Sequence, residues 1–143
     1  MAPTAPYTHV VLDRLPGRRN PEALGETVWK PLRATLDVTA FGTNAYVAPV
    51  AGTTVIEEHD EAGDPGQEEM YVVLRGRARF TIGPESFEVG AGELVFVRDP
   101  GARRHATALE AGTSVLAVGA PAGSQAPSEW EARWLAELPA EGA

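Results

Sequence analysis

The sequence predicts an all-β sandwich or barrel that ends in a short helix. Three observations carry this. Apolar runs of about four to eight residues recur along most of the chain, each bounded by a turn. Residues Arg77–Ile82 alternate cleanly, with Ala78, Phe80 and Ile82 on one side and Arg77, Arg79 and Thr81 on the other. The 15 glycines and 12 prolines are scattered, as many tight turns require. A length of 143 residues suits one domain with a single core, and no internal repeat divides it.

The elements follow in order. Residues 1–7 are proline-rich and are expected to fray. The valine-rich segment 8–12 reads as a strand, after which Pro16, Gly17 and Pro21 interrupt the chain. Residues 29–36 read as a short helix, with Pro31 in its first turn and Leu32 and Leu36 on one face. Residues 41–50 form a strand ended by Pro49. From Gly52 the strand signals become regular. Segment 53–61 is a strand, and 62–66 is a loop by its residue types, Ala-Gly-Asp-Pro-Gly. Segment 69–74 is apolar enough for a strand covered on both faces. Strands then follow at Arg77–Ile82, 86–89, 93–97, 104–109 and 113–118, with glycine-containing turns between most of them. Residues 121–127 form a linker. Ser128 and Glu131 make a capping box that opens a helix. Trp130, Trp134, Leu135 and Leu138 form its apolar stripe, expected against the barrel wall or across a dimer. The expected organisation is an N-terminal arm (1–26), a barrel (27–120), and a linker with its helix (121–143).

Composition excludes several functions. A net charge of -8 argues against nucleic acid and anionic membrane surfaces as partners. No run approaches the roughly 20 apolar residues of a membrane span. The first residues have neither a basic head nor an apolar core, so no secretory signal is expected. The chain has no cysteine, which removes disulfides, thiolate metal sites and cysteine nucleophiles together, and is compatible with the cytoplasm. A metal would need His, carboxylate or amide oxygen ligands. That points away from structural zinc and towards iron, manganese, nickel or catalytic zinc.

The chemistry concentrates in residues 52–76. Strand residues two apart share a face at roughly 7 Å. Glu57, His59 and Glu61 therefore line one side of one strand, and Gln67, Glu69 and Tyr71 one side of the next. If the loop folds these strands back as antiparallel neighbours, His59 and Glu69 face each other. The acidic cluster around them contains no Lys or Arg, so it needs either solvent or a cation. Both readings stand on the local sequence: a solvated acidic loop around an exposed histidine, or a metal site. His105, at the start of a later strand, adds a second histidine. Two histidines and a carboxylate on adjacent strands leave metal positions open for substrate or oxygen. His9 has no acidic or glycine context and reads as a surface residue.

This stretch resembles the first motif of the cupin superfamily, in which a glycine precedes two histidines one residue apart, a Glu and a closing glycine. Here Gly52 opens, His59 stands for the first histidine, Glu69 for the Glu, and Gly76 closes. The second motif is similar to Gly92-Glu93, the apolar run 94–97, the turn Pro100-Gly101 and His105. The likeness spans roughly residues 46–118. It implies a double-stranded β-helix, or jelly-roll, barrel with a pocket at its mouth. It implies a divalent metal held by His59, Glu69 and His105, with Glu61 or Gln67 as a fourth ligand and Glu57 and Tyr71 beside them. Three departures stand out. Glu61 occupies the position of the second histidine, the loop between His59 and Glu69 is longer than the family pattern, and the second motif carries an extra residue. A comparison without that residue brings Arg103 rather than His105 to the metal, where it would suit an anionic substrate.

The functional expectation is therefore a metal-dependent small-molecule enzyme, with Glu57 or Glu69 as general base. A binding or sensing barrel without chemistry is the alternative. A barrel with a degenerate site and an interaction role, carried by the tryptophan helix, is the third reading. Barrels of this kind commonly dimerise, and the segment Val10-Val11-Leu12 is a candidate for exchange between subunits.

Overall fold

A computed structural model describes residues 5–142, so the fraying expected at the N-terminus lies partly outside the described residues. Two antiparallel sheets face each other. The first has six strands in the order β1-β2-β3-β10-β5-β8: Arg18–Arg19, Val28–Lys30, Gly42–Ala48, Thr113–Pro121, Gln67–Arg75 and Leu94–Val97. The second has the order β4-β9-β6-β7: Thr54–His59, Arg104–Ala108, Arg77–Ile82 and Glu85–Gly90. This is a jelly roll. Two short helices, α1 (Pro21–Leu24) and α2 (Leu32–Leu36), precede β3, and α3 (Glu129–Glu137) closes the chain.

The period-two pattern places the core between the sheets. Tyr46, Tyr71, Val73 and Val115 point in from the six-stranded sheet, and Val55, Ile56, Phe80 and Ala106 from the other. Phe80 is fully buried and meets the Tyr71 ring at 5.4 Å. Burying such a side chain stabilises the fold by about 1.5–3 kcal/mol. The turn at Gly83 (φ 55°) joins β6 to β7 in the register Ile82↔Glu85. Here the structure follows the sequence closely.

Elsewhere it departs. Residues 8–11 form no strand. They lead into a 3₁₀ turn at Leu12–Arg14, and Val10 and Val11 are exposed. The free edge of β2 is taken by β1, so the valines find no ladder. Instead Lys30 Nζ donates to the Leu12 carbonyl at 2.7 Å, and Arg75 grips Asp13 with both terminal nitrogens. The N-terminal arm, 1–26, contributes β1 and α1 to the body, and its Leu24 sits in the core. Pro31 caps α2 with Leu32 buried, but Trp29 belongs to β2 rather than to the helix. Strand β5 is not covered on both faces. Tyr71 and Val73 are buried inward, while Leu74 is exposed.

Helix α3 has its capping box: Ser128 Oγ accepts from the Glu131 N–H. Its stripe does not meet the barrel wall. Trp130, Trp134, Leu135 and Leu138 are all exposed, and the two tryptophans pack on each other at 5.2 Å. Among the described residues, no helix is long and apolar enough to cross a membrane.

Candidate metal centre

His59 and Glu69 meet, but not as ladder neighbours. Strand β4 pairs with β9 and β5 with β10 and β8, so the two residues stand in different sheets. Closure of the jelly roll brings them face to face, with His59 Nε2 3.6 Å from Glu69 Oε1. Glu61, just past the end of β4, places Oε1 3.2 Å from the same Nε2. One ligand atom from each of His59, Glu61 and Glu69 lies within 4.8 Å of the others. All three side chains are half-buried, and they form one end of a cavity of ≈ 900 Å³. That volume falls in the usual range for small-molecule sites.

The orientation of His59 is set from behind. Its Nδ1 lies 2.7 Å from the Glu57 carbonyl, so Nδ1–H donates there and Nε2 is turned towards the two carboxylates. A neutral Nε2 lone pair facing two anionic oxygens is repulsive. Either a proton or a cation must therefore lie between them. Without a metal the proton answers: hydrogen bonding to Glu69, opposed by burial, raises the His59 pKa to about 9. Glu61 is nearer; burial and the Glu69 charge push its carboxyl up, while the charges of His59 and Arg104 oppose that rise. Glu69 is also pushed up by burial. Its hydrogen bonds from His59 and Tyr71, with the charge of Arg104, outweigh that and hold it low. Tyr71 donates its hydroxyl to Glu69 Oε1, and burial with the Glu69 charge keeps the phenol protonated.

This donor set fits a divalent cation. One imidazole nitrogen with a fixed tautomer and two carboxylate oxygens suit iron, manganese, nickel or zinc. It is not the two-histidine set that the sequence led to. His105 lies on the outward face of β9, where its Nδ1 is 3.7 Å from the exposed Glu58. Arg103 is also outside, at 3.7 Å from Glu58 and 3.6 Å from Asp60. Gln67 stands at the start of β5 beside Gly119 and does not line the cavity. His9 is exposed, as its sequence context suggested. Glu57 lines the cavity, with Oε2 buried and without a partner. Tyr71 is buried behind Glu69 and does not line the cavity.

Two features escaped the sequence reading. Arg104, not Arg103 or His105, is the residue of β9 that points inward, opposite His59 in the ladder. Its signal was available, because Ala106 and Ala108 continue the same apolar face at period two. The far wall of the cavity comes from residues 18–24, with Trp29, Asn44 and Tyr46. There Trp29 Nε1 donates to Asn44 Oδ1 at 3.0 Å. Nothing in the local pattern of 18–24 tied it to the site.

No family model matches the chain, and no curated protein does. Solved structures do. A cupin protein from Bacteroides fragilis superposes with a TM-score of 0.66 at 19% identity, covering 90% of this chain and 95% of the other. A predicted oxalate decarboxylase from Thermotoga maritima gives a TM-score of 0.63 at 20% identity, covering 78% and 97%. A sugar phosphate isomerase of the cupin superfamily from Silicibacter pomeroyi gives 0.61 at 16% identity, covering 78% and 74%. At these identities the likeness is one of fold. The chain has the cupin fold, a double-stranded β-helix barrel, with a group able to hold a metal at one end of its cavity.

Proposed function

We propose that this chain is a metal-dependent enzyme of the dioxygenase, isomerase or lyase class, acting on a small molecule as a homodimer in the cytoplasm. The observation that carries the reading is the convergence of His59 Nε2 with one oxygen each of Glu61 and Glu69 at the cavity. A divalent iron, manganese, nickel or zinc ion held there supplies Lewis acidity towards a substrate oxygen. Glu61 takes the ligand place expected for His105. Glu57 is the candidate base: it lines the cavity, and its unpartnered Oε2 can accept a substrate proton. Tyr71 is a positioning residue that fixes Glu69 through its hydroxyl. The similar structures support a small-molecule reaction, since two of them are named for an oxalate and a sugar phosphate activity.

Metal analysis of the purified protein tests this. Stoichiometric metal is expected in the wild type and in H105A, and its loss in H59A and E69Q. Y71F keeps the ring but loses the donor, and should weaken metal binding by roughly 10- to 100-fold. A wild type that takes up none of the four ions would sink the reading.

One observation favours a second reading, a binding or sensing barrel without chemistry. The permanent charge of Arg104 occupies the inward face of β9, where the sequence led to His105 as a ligand. Tight ligand binding by a metal-free, non-turning-over protein would select it.

A further inference from the structure

The cavity wall opposite the metal-binding group is made of hydrogen-bond donors. In the ladders Arg18 stands opposite Trp29, and Trp29 opposite Tyr46. Cross-strand partners share a face, so the three side chains form a row on the inner side of the sheet, and all three line the cavity. Gly17 lets β1 approach β2 this closely, because a Cβ there would collide with Val28 Cγ1. Arg19, the next residue, already has an acid: its Nη1 lies 3.5 Å from Glu26 Oε2. Among the described residues, no carboxylate comes within the 4.0 Å of an ion pair to Arg18. Asn44, two residues from Tyr46 on β3 and half-buried, lines the same wall. Its Oδ1 accepts from Trp29 Nε1 at 3.0 Å. An indole nitrogen only donates, so this bond fixes which way the amide lies. The Asn44 Nδ2 keeps two donors, with no protein acceptor for them among the described residues. The other end of the cavity carries Glu57, Glu61 and Glu69. The cavity is therefore polarised, with donors along β1 and β3 and carboxylates at the β4 and β5 end.

We propose that Arg18 and Asn44 form the specificity site of this cavity, taking the carboxylate of a small organic acid whose other end reaches the His59, Glu61 and Glu69 group. The proposal rests on the metal-enzyme reading and names its substrate class. The guanidinium fork matches a planar carboxylate, and the fixed Asn44 amide adds a directed donor on the same wall. One unpaired guanidinium also matches one negative charge. A phosphate dianion would meet twice the repulsion that a monoanion meets from the carboxylates lining the cavity, Glu22 at its rim among them. The acceptors at the far end suit a metal ion with a neutral hydroxyl or carbonyl oxygen of the ligand, not a second anion.

The test titrates glycolate, 3-hydroxypropionate and 4-hydroxybutyrate, the matching amides, and inorganic phosphate into the metal-loaded protein, with metal content measured on the same samples. In the wild type at least one acid binds about 10-fold more tightly than its amide. R18Q abolishes that preference and keeps the metal. R19Q keeps the preference, because Arg19 is held by Glu26. N44D still accepts from Trp29 but offers an anionic oxygen in place of the donors, so it too loses the preference for the acid. A wild type that binds no acid more tightly than its amide overturns the proposal, and that comparison needs no variant to fold. Phosphate binding tighter than that of every acid overturns it as well, as does an R18Q or N44D protein with the wild-type preference. Equal losses in R18Q and R19Q would mean a diffuse field rather than a site, and overturn it too. An acid preference that depends on Arg18 in a protein that takes up no metal would instead overturn the metal-enzyme reading and leave the specificity site standing.

Discussion

His59 is held in a geometry that demands a positive charge at Nε2, and in the metal-free chain a proton supplies it. The folded pKa of about 9 stands above the ordinary 6.5. The folded state therefore binds this proton more tightly than the unfolded chain does. The resulting stabilisation is fully present below about pH 6.5 and is lost as pH rises through about 9. Glu69 acts at the other end of the scale. Its depressed pKa contributes stability above the ordinary 4.5, which is lost as pH falls through the folded value. Glu61 is raised and works against stability once both states ionise. Of these three groups only His59 changes on the alkaline side. In chelator, the thermal midpoint of the wild type should fall between about pH 6.5 and 9. H59Q should lack that fall, and an equal slope in both proteins would count against the geometry. The pairing of His59 with Glu69 was legible in the sequence as two acid-rich strands. The proton-or-metal demand was not, because it depends on the Glu57 carbonyl that aims the ring.

At the scale of elements, the turn between β5 and β6 shows how a local signal becomes a packing constraint. Gly76 has φ 75°, and a Cβ there would lie 2.8 Å from the Thr113 backbone Cα. Thr113 Oγ1 in turn donates to the Arg77 carbonyl and stitches β10 to the turn. G76A should cost about 1–3 kcal/mol from the left-handed backbone alone, and more from the collision. Chemical denaturation measures it, and an unchanged midpoint would mean the turn can rebuild. Strand β9 shows the complementary case. Arg104-His105-Ala106-Thr107-Ala108 alternates, and its two alanines identify the inner face. Reading the histidine as the important residue hid that pattern, because chemistry was weighed before periodicity. A slip of one residue moved every side chain of the strand to the opposite face.

For the whole molecule, the outer face of the six-stranded sheet is apolar at its β8 edge. Leu74, Leu94 and Phe96 are exposed there, and the Leu94 and Phe96 positions pair with Val72 and Met70. Such a face on an edge strand favours association, and the proposed homodimer should use it. Light scattering should give twice the 15.1 kDa chain mass for the wild type. L94E should give the monomer with its metal retained, and a wild-type monomer at high concentration would remove the dimer. Much of this architecture could be read from the linear chain. Period-two alternation and glycine turns depend on residues two to four positions apart, so the strands, the barrel and the capped terminal helix were all visible there. The docking of residues 18–24 against the cavity, the loss of the 8–12 strand and the inward turn of Arg104 were not. Each depends on which edges are already paired and on the register across two sheets. The candidate metal-binding group itself arises because sheet closure brings the end of β4 onto β5, a contact between strands that share no ladder.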